Sequence, residues 1–154
     1  GMYGEIKNAK TLAARIVYAR SAVYIKTTGD LVDIINSCLM RGDDRKKYTG
    51  MVFQALRISV NDELNSLKKL LESASEVLAP GGRLVVITYH SLEDRLVKNY
   101  IKAGNFIGKT ETDIFGNLLV PFKQVNRKHI EPSDNEVEEN IRARSAKLRI
   151  AEKL

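Results

Sequence analysis

The stretch LAPGGRLVVITYHSLEDR, residues 78–95, packs a helix end, a turn, a strand and a polar strand tip into eighteen residues. Pro80, Gly81 and Gly82 cannot continue the helix before them, and they reverse the chain. Residues 83–89 follow as a nearly unbroken apolar run rich in β-branched side chains. Such a run suits a strand covered on both faces, as in a parallel α/β sheet, rather than one with a wet side. In parallel α/β sheets ligands sit beyond the carboxyl ends of the strands. His90, Ser91, Glu93, Asp94 and Arg95 therefore stand where recognition or chemistry is usual.

On the C-terminal side of this strand, Ser91 and Asp94 have capping-box spacing ahead of an apolar helical face made by Leu92, Leu96, Val97, Tyr100 and Ile101. On its N-terminal side, Phe53, Leu56, Val60, Leu64, Leu67, Leu71, Ala74 and Leu78 recur three or four apart, which predicts a long helix or two helices meeting near Asn61. Leu31, Ile34, Ile35, Cys38 and Leu39 make a shorter stripe opened by Thr27 or Thr28 as the cap; Leu12, Ala13, Ile16 and Val17 make another. The sequence RGDDRKKY, residues 41–48, has no periodicity and reads as an exposed loop. Beyond Gly104, the pair Gly116-Asn117 between apolar runs predicts a tight hairpin within residues 110–122, held to a sheet edge by Pro121. Residues 123–127 then read as extended, Ser133 with Glu136 as the cap of a short acidic helix, and residues 146–151 as a strand.

The 154 residues are 44% hydrophobic, enough for a core. No apolar run approaches the roughly 18 to 20 residues a bilayer span needs, and no apolar leader is visible, so the cytoplasm is the expected compartment and no membrane partner is expected. The single Cys38 lies on an apolar helical face, which excludes a disulfide or a cysteine metal site within one chain. His90 and His129 are too few for a metal site and no carboxylate pair has ligand spacing, so no metal is expected. The net charge of +6 favours an anionic partner. Basic residues bunch at 41–47, 123–129 and 142–149, which makes nucleic acid the best partner class, although such clusters also occur as plain solvated surface. Arg142, Arg144 and Lys147 suit phosphate contacts, and Arg95 extends that set. Arg57 and Asn61 share one helical face, from which Glu63 points away; direct RNA contact and an internal polar network fit them equally.

FQALRISVNDEL at residues 53–64, LAPGGRLVVITYHSLEDRLVK at 78–98 and RARSAKLRIAEK at 142–153, with the lead-in TLAARIV and the segment ending TTGDLVDII, closely resemble the C-terminal half of the RsmH (MraW) family of small-subunit rRNA (cytosine-N4)-methyltransferases. The resemblance runs from about Tyr3 to the end. Departures are small: Ile141 stands where the family tends to have proline, and Tyr89 where it usually has phenylalanine. The resemblance implies an α/β fold, namely the C-terminal half of a class I, Rossmann-like, S-adenosylmethionine-dependent methyltransferase sheet with part of an inserted helical substrate domain. Residues 1–50 would belong to that insertion and 51–154 to the catalytic domain, with residues 83–89 as the fifth of seven strands and the two last strands as an antiparallel closing pair. The implied substrate is the exocyclic N4 amine of one cytidine in small-subunit rRNA or the ribosomal subunit.

Enzymes of this class hold the donor with a glycine-rich loop, and no GxG occurs in this chain. The resemblance therefore implies that the N-terminal half is missing, that S-adenosylmethionine belongs to the complete enzyme, and that this chain alone is inactive and binds no cofactor tightly. His90, Ser91 and Asp94, at the strand tip, are the candidate catalytic residues lining the base pocket; Ser91 and Asp94 also read as a helix cap, and Asp94 with Arg95 as surface charge. A Ser-His hydrolase is a poor fit, because adjacent residues cannot face each other and no nucleophile elbow is present. A non-catalytic RNA-binding or ribosome-assembly module is the alternative. A half-sheet leaves an open apolar edge, which predicts a homodimer or exchanged-element assembly.

Overall fold

Helix α1, Ala9–Ala22, opens the computed structural model, which describes residues 3–4 and 6–154. Helix α2, Thr28–Asn36, starts on a reciprocal cap: the Thr27 hydroxyl accepts from the Asp30 N–H at 3.1 Å, and the Asp30 carboxylate accepts from the Thr27 N–H at 2.9 Å. Asp44 caps α3, Arg45–Asn61, by accepting from the Lys47 N–H at 3.1 Å. The loop expected over residues 41–48 is accordingly shorter. Its paired aspartates divide the work, Asp43 accepting the Met40 N–H at 2.8 Å while Asp44 starts the helix, so Arg45 to Tyr48 become its first turn.

Asp62 adopts left-handed φ 51° and ψ 39°, ending α3, and α4, Glu63–Val77, begins one residue later. The two helices thus meet next to Asn61, as the spacing predicts. The chain divides here into two compact units, one ending at Glu63 and one beginning at Leu64. In the first, Leu12, Ile35, Tyr48 and Val52 build a core together with Cys38, which is packing rather than chemistry. Of the expected α1 stripe only Leu12 is buried; Ala13 and Val17 face solvent.

The second unit contains β1, Arg83–Thr88; α5, Ser91–Ala103; β2, Phe122–Gln124; α6, Asp134–Glu139; a 3-10 helix, Ile141–Ser145; and β3, Lys147–Lys153. The strand order is β1-β3-β2, and both pairings are antiparallel, with Arg83 opposite Glu152, Thr88 opposite Lys147 and Phe122 opposite Lys153. The last two strands therefore do form an antiparallel pair. The parallel sheet expected around β1 is not what the described residues build. A parallel neighbour requires a crossover connection between strands, whereas β3 returns to lie directly against β1.

Leu84 of β1 joins Leu71 of α4, Val97, Tyr100 and Ile101 of α5, Phe122 of β2 and Ala151 of β3 in one core. Val85 and Ile87 point the other way and are 56% and 55% exposed. The two-sided coverage read from residues 83–89 is thus half realised: helices cover one face and the other presents apolar side chains to solvent. The turn after α5 also departs from expectation. Thr112 bridges to Leu118, and Asp113 closes the intervening loop by accepting from the N–H groups of Phe115 and Asn117, both at 2.8 Å. A two-residue Gly116-Asn117 turn gives way to this longer, aspartate-centred one because the Asp113 carboxylate satisfies the loop's donors. No helix among the described residues is long and apolar enough to cross a membrane.

Candidate functional site at the end of strand β1

β1 ends at Thr88, and two residues later α5 begins with His90 as its N-cap, at φ −144° and ψ 162°. His90 Nδ1 accepts the Glu93 N–H at 3.4 Å, and Glu93 Oε2 accepts the Tyr89 N–H at 3.0 Å. The cap expected from Ser91 and Asp94 is therefore displaced by one residue. His90 is the last residue with extended backbone, and only a side chain at that position reaches the N–H three residues on. Ser91 becomes the first residue of the helix and is exposed. Because Nδ1 accepts, the hydrogen-bond pattern assigns the neutral ring's proton to Nε2. That nitrogen is buried, 3.3 Å from Glu93 Oε1 but without an aligned hydrogen bond among the described residues.

Asp94 neither caps the helix nor sits on the surface. It is buried, and Arg149 of β3 grips it: Nε donates to Oδ1 at 2.7 Å and Nη2 to Oδ2 at 3.1 Å. Lys147 Nζ lies 3.7 Å from Oδ2. Burial works to raise the Asp94 pKa, but the Arg149 guanidinium, with Lys147 and His129 adding to it, holds the carboxyl below the ordinary aspartate range. The Glu93 carboxyl is likewise held low, chiefly by the His90 imidazole, with burial opposing and the Tyr89 N–H assisting. Both acids stand in the first turn of α5, where the helix dipole favours negative charge.

Arg149 is the residue that sequence reasoning missed. The available signal was the position of Asp94 three residues before Val97 on the buried side of α5, since an acid placed there needs a basic partner. On β3, Arg149 and Ala151 are the two inward-facing residues of an alternating strand.

The basic tail reaches the same end of the sheet, because Lys147 pairs with Thr88. In the 3-10 helix Ala143 is buried, and Arg142 and Arg144 on either side of it are exposed, as is Arg95 on α5. Lys147 is only partly exposed and turns toward Asp94. Arg57 and Asn61 belong to the other unit. There the left-handed Asp62 swings Glu63 back, so Arg57 Nε and Nη2 donate to it at 2.8 and 3.1 Å and Asn61 Nδ2 at 3.2 Å. The expectation that Glu63 points away holds only for a straight helix, and the break at Asp62 reverses it. The strand end therefore brings together His90, Ser91, Asp94, Lys147 and Arg149.

The family model described as the MraW methylase family matches residues 1–154. A protein of Parabacteroides distasonis called ribosomal RNA small subunit methyltransferase H is 58% identical over 153 residues, covering 99% of this chain and 50% of the relative. Proteins of the same name from Bacteroides thetaiotaomicron and Cytophaga hutchinsonii are 57% and 54% identical, again over 99% of this chain. The chain spans about half the length of these relatives.

Proposed function

The chain belongs to the MraW methylase family, and from that premise we propose that it forms the C-terminal part of an S-adenosylmethionine-dependent methyltransferase acting on the exocyclic N4 amine of a cytidine in small-subunit rRNA. The observation that carries the reading is the polar junction at the carboxyl end of β1, where the half-buried His90 imidazole, its Nε2 buried and without an aligned hydrogen bond among the described residues, sits beside a basic rim. An exocyclic cytosine amine has its lone pair drawn into the ring. Its methylation depends on positioning the base and on groups that accept or balance charge as the amine attacks. In this reading His90 and Ser91 line the base, and Asp94, tied to Arg149, holds them in place. Arg95, Arg142 and Arg144 take flanking phosphates, with Lys147 at the inner edge.

The residues present do not fit a cradle for the methyl donor. Such a cradle needs glycine at the carboxyl end of a strand, where backbone must approach the nucleoside. Gly81 and Gly82 lie at the amino end of β1 and serve the sheet there, the Gly81 N–H donating to the Lys153 carbonyl at 2.9 Å and the Gly82 carbonyl accepting from Lys153 at 2.8 Å. At the carboxyl end the first turn of α5 is closed by His90 and already carries Glu93 and Asp94. The donor is held by the half of the relatives' length that this chain does not match, and the uncovered face of β1 is where that half, or a second copy of the chain, would pack. Calorimetry with S-adenosylmethionine tests this: the chain alone shows no tight binding, and methyl transfer to small ribosomal subunits appears only when the remaining half of such a relative is supplied. Micromolar donor affinity in the isolated chain would overturn it.

A further inference from the structure

Residues 110–120, TETDIFGNLLV, hold two acids and no basic residue, in a chain whose net charge is +6. Large apolar side chains in this run stand in solvent: Ile114 is 93%, Phe115 81%, Leu118 54% and Leu119 57% exposed. They sit on a turn that is fixed from inside. Thr112 bridges Leu118, and the Leu119 N–H donates to the Glu111 carbonyl at 2.9 Å. The Asp113 carboxylate, besides closing the loop's N–H groups, accepts from Asn117 Nδ2 at 2.9 Å. Gly116 supplies the left-handed φ of 85° that the turn requires. Ile114 and Phe115 are thereby held out at the tip.

The hairpin lies at the opposite end of α5 from His90. That helix starts at the carboxyl end of β1 and spans 13 residues, roughly 20 Å. Just after the hairpin, the Pro121 carbonyl accepts the Leu154 N–H at 3.1 Å, beside the amino end of β1 where Arg83 pairs with Glu152. The chain then enters β2, and β3 stands between β2 and β1. The tip is therefore remote from both the polar junction and the free edge of β1. An apolar tip on an acidic stem does not suit rRNA, whose phosphates repel carboxylates. It suits an apolar cleft on a basic protein, and proteins that pack on rRNA are basic because they neutralise its phosphates. Aromatic side chains are enriched at the cores of protein interfaces, and a tip already held in place loses little freedom on docking. We propose that the 112–118 hairpin docks on a basic protein of the small ribosomal subunit, Ile114 and Phe115 entering an apolar cleft and the exposed Glu111 facing its basic rim. The docking rests on the rRNA reading above and adds a protein contact to it.

The test is co-sedimentation of the whole chain with small ribosomal subunits and, separately, filter binding to their deproteinised rRNA. The parent binds the subunits more tightly than the bare rRNA. Ile114→Ser and Phe115→Ser each weaken subunit binding about fivefold or more and leave rRNA binding unchanged. Their melting temperatures match the parent's, because both side chains are exposed. Asp113→Ala frees the turn but keeps both apolar side chains, and it also weakens subunit binding because the tip must then be ordered on docking. Equal subunit binding by parent and serine variants overturns the docking and leaves the rRNA reading standing. So does an equal loss on subunits and bare rRNA, which makes the tip an RNA contact. A change confined to the sedimentation of the free chain makes it a self-association surface and likewise overturns the docking. A parent that binds subunits no more tightly than bare rRNA, or binds neither, overturns it as well, while the rRNA reading is judged separately by the methyl-transfer experiment above.

Discussion

Arg149 of β3 holds Asp94 of α5 through two parallel hydrogen bonds of 2.7 and 3.1 Å, with both side chains buried. The pair ties the last strand of the sheet to the first turn of the helix that begins at His90. A fork of this kind fixes orientation as well as distance, since the guanidinium plane and the carboxylate plane must align. The position of the β1 tip is therefore set from the far end of the sequence, fifty-five residues away.

A buried ion pair contributes little net stability over an apolar pair of similar volume, but removing one partner strands the other charge. Asp94→Leu and Arg149→Met are each expected to cost about 3 kcal/mol in urea unfolding, and the two together less than either alone. Costs that simply add within about 0.5 kcal/mol would show that the pair is not coupled.

The same acids set the acid limit of stability. The folded-state pKa values of Asp94 and Glu93 lie below their ordinary values. The stability they contribute is complete above the unfolded pKa, near 4, and is lost as the pH falls from there through the depressed folded values. Thermal melts followed by circular dichroism should show the melting temperature holding above about pH 4 and dropping as the pH is lowered below it. Asp94→Asn should melt lower at neutral pH and drop less over the same range. Parallel pH profiles for the two proteins would refute the assignment.

Much of this was legible in the sequence because local chemistry decided it. The α2 cap, left between Thr27 and Thr28 and found at Thr27, Ser133 with Glu136 and the helix break beside Asn61 depend on neighbours a few residues away. Three features were not legible. The Asp94–Arg149 contact joins residues whose separation no periodicity encodes. The covering of β1 was misread for a different reason: alternating burial and two-sided burial both place Leu84 and Val86 inward, and only the apolar Val85 and Ile87 distinguish them. Those two residues match two-sided coverage, yet they are exposed here. The cap at His90 was missed because histidine is an uncommon capping residue, so Ser91 beside it drew the assignment.

That exposed face predicts a split between two kinds of substitution. Phe122 is 1% exposed in the core, and Phe122→Ala should cost about 3 to 5 kcal/mol. Ile87→Thr, on the outer face, should change stability by less than about 1 kcal/mol. If that face and the free edge of β1 drive self-association, light scattering at high concentration will report species larger than the monomer, and Ile87→Lys will reduce them. A clean monomer at high concentration would count against the assembly.

His90 caps α5 through Nδ1, and the proposed function adds a second, separable role for its Nε2 at the strand tip. Asparagine is a strong N-cap and alanine a weak one, so His90→Asn should keep the stability of the parent while His90→Ala loses about 1 kcal/mol. Neither replacement restores an imidazole at the tip. When the chain is combined with the remaining half of a relative, both variants should therefore lose methyl transfer to small ribosomal subunits by tenfold or more, although only one is destabilised. Full transfer by His90→Asn would mean that the imidazole serves the helix alone. In that case the base would be held by the neighbouring Ser91 and by the backbone that the cap sets in place.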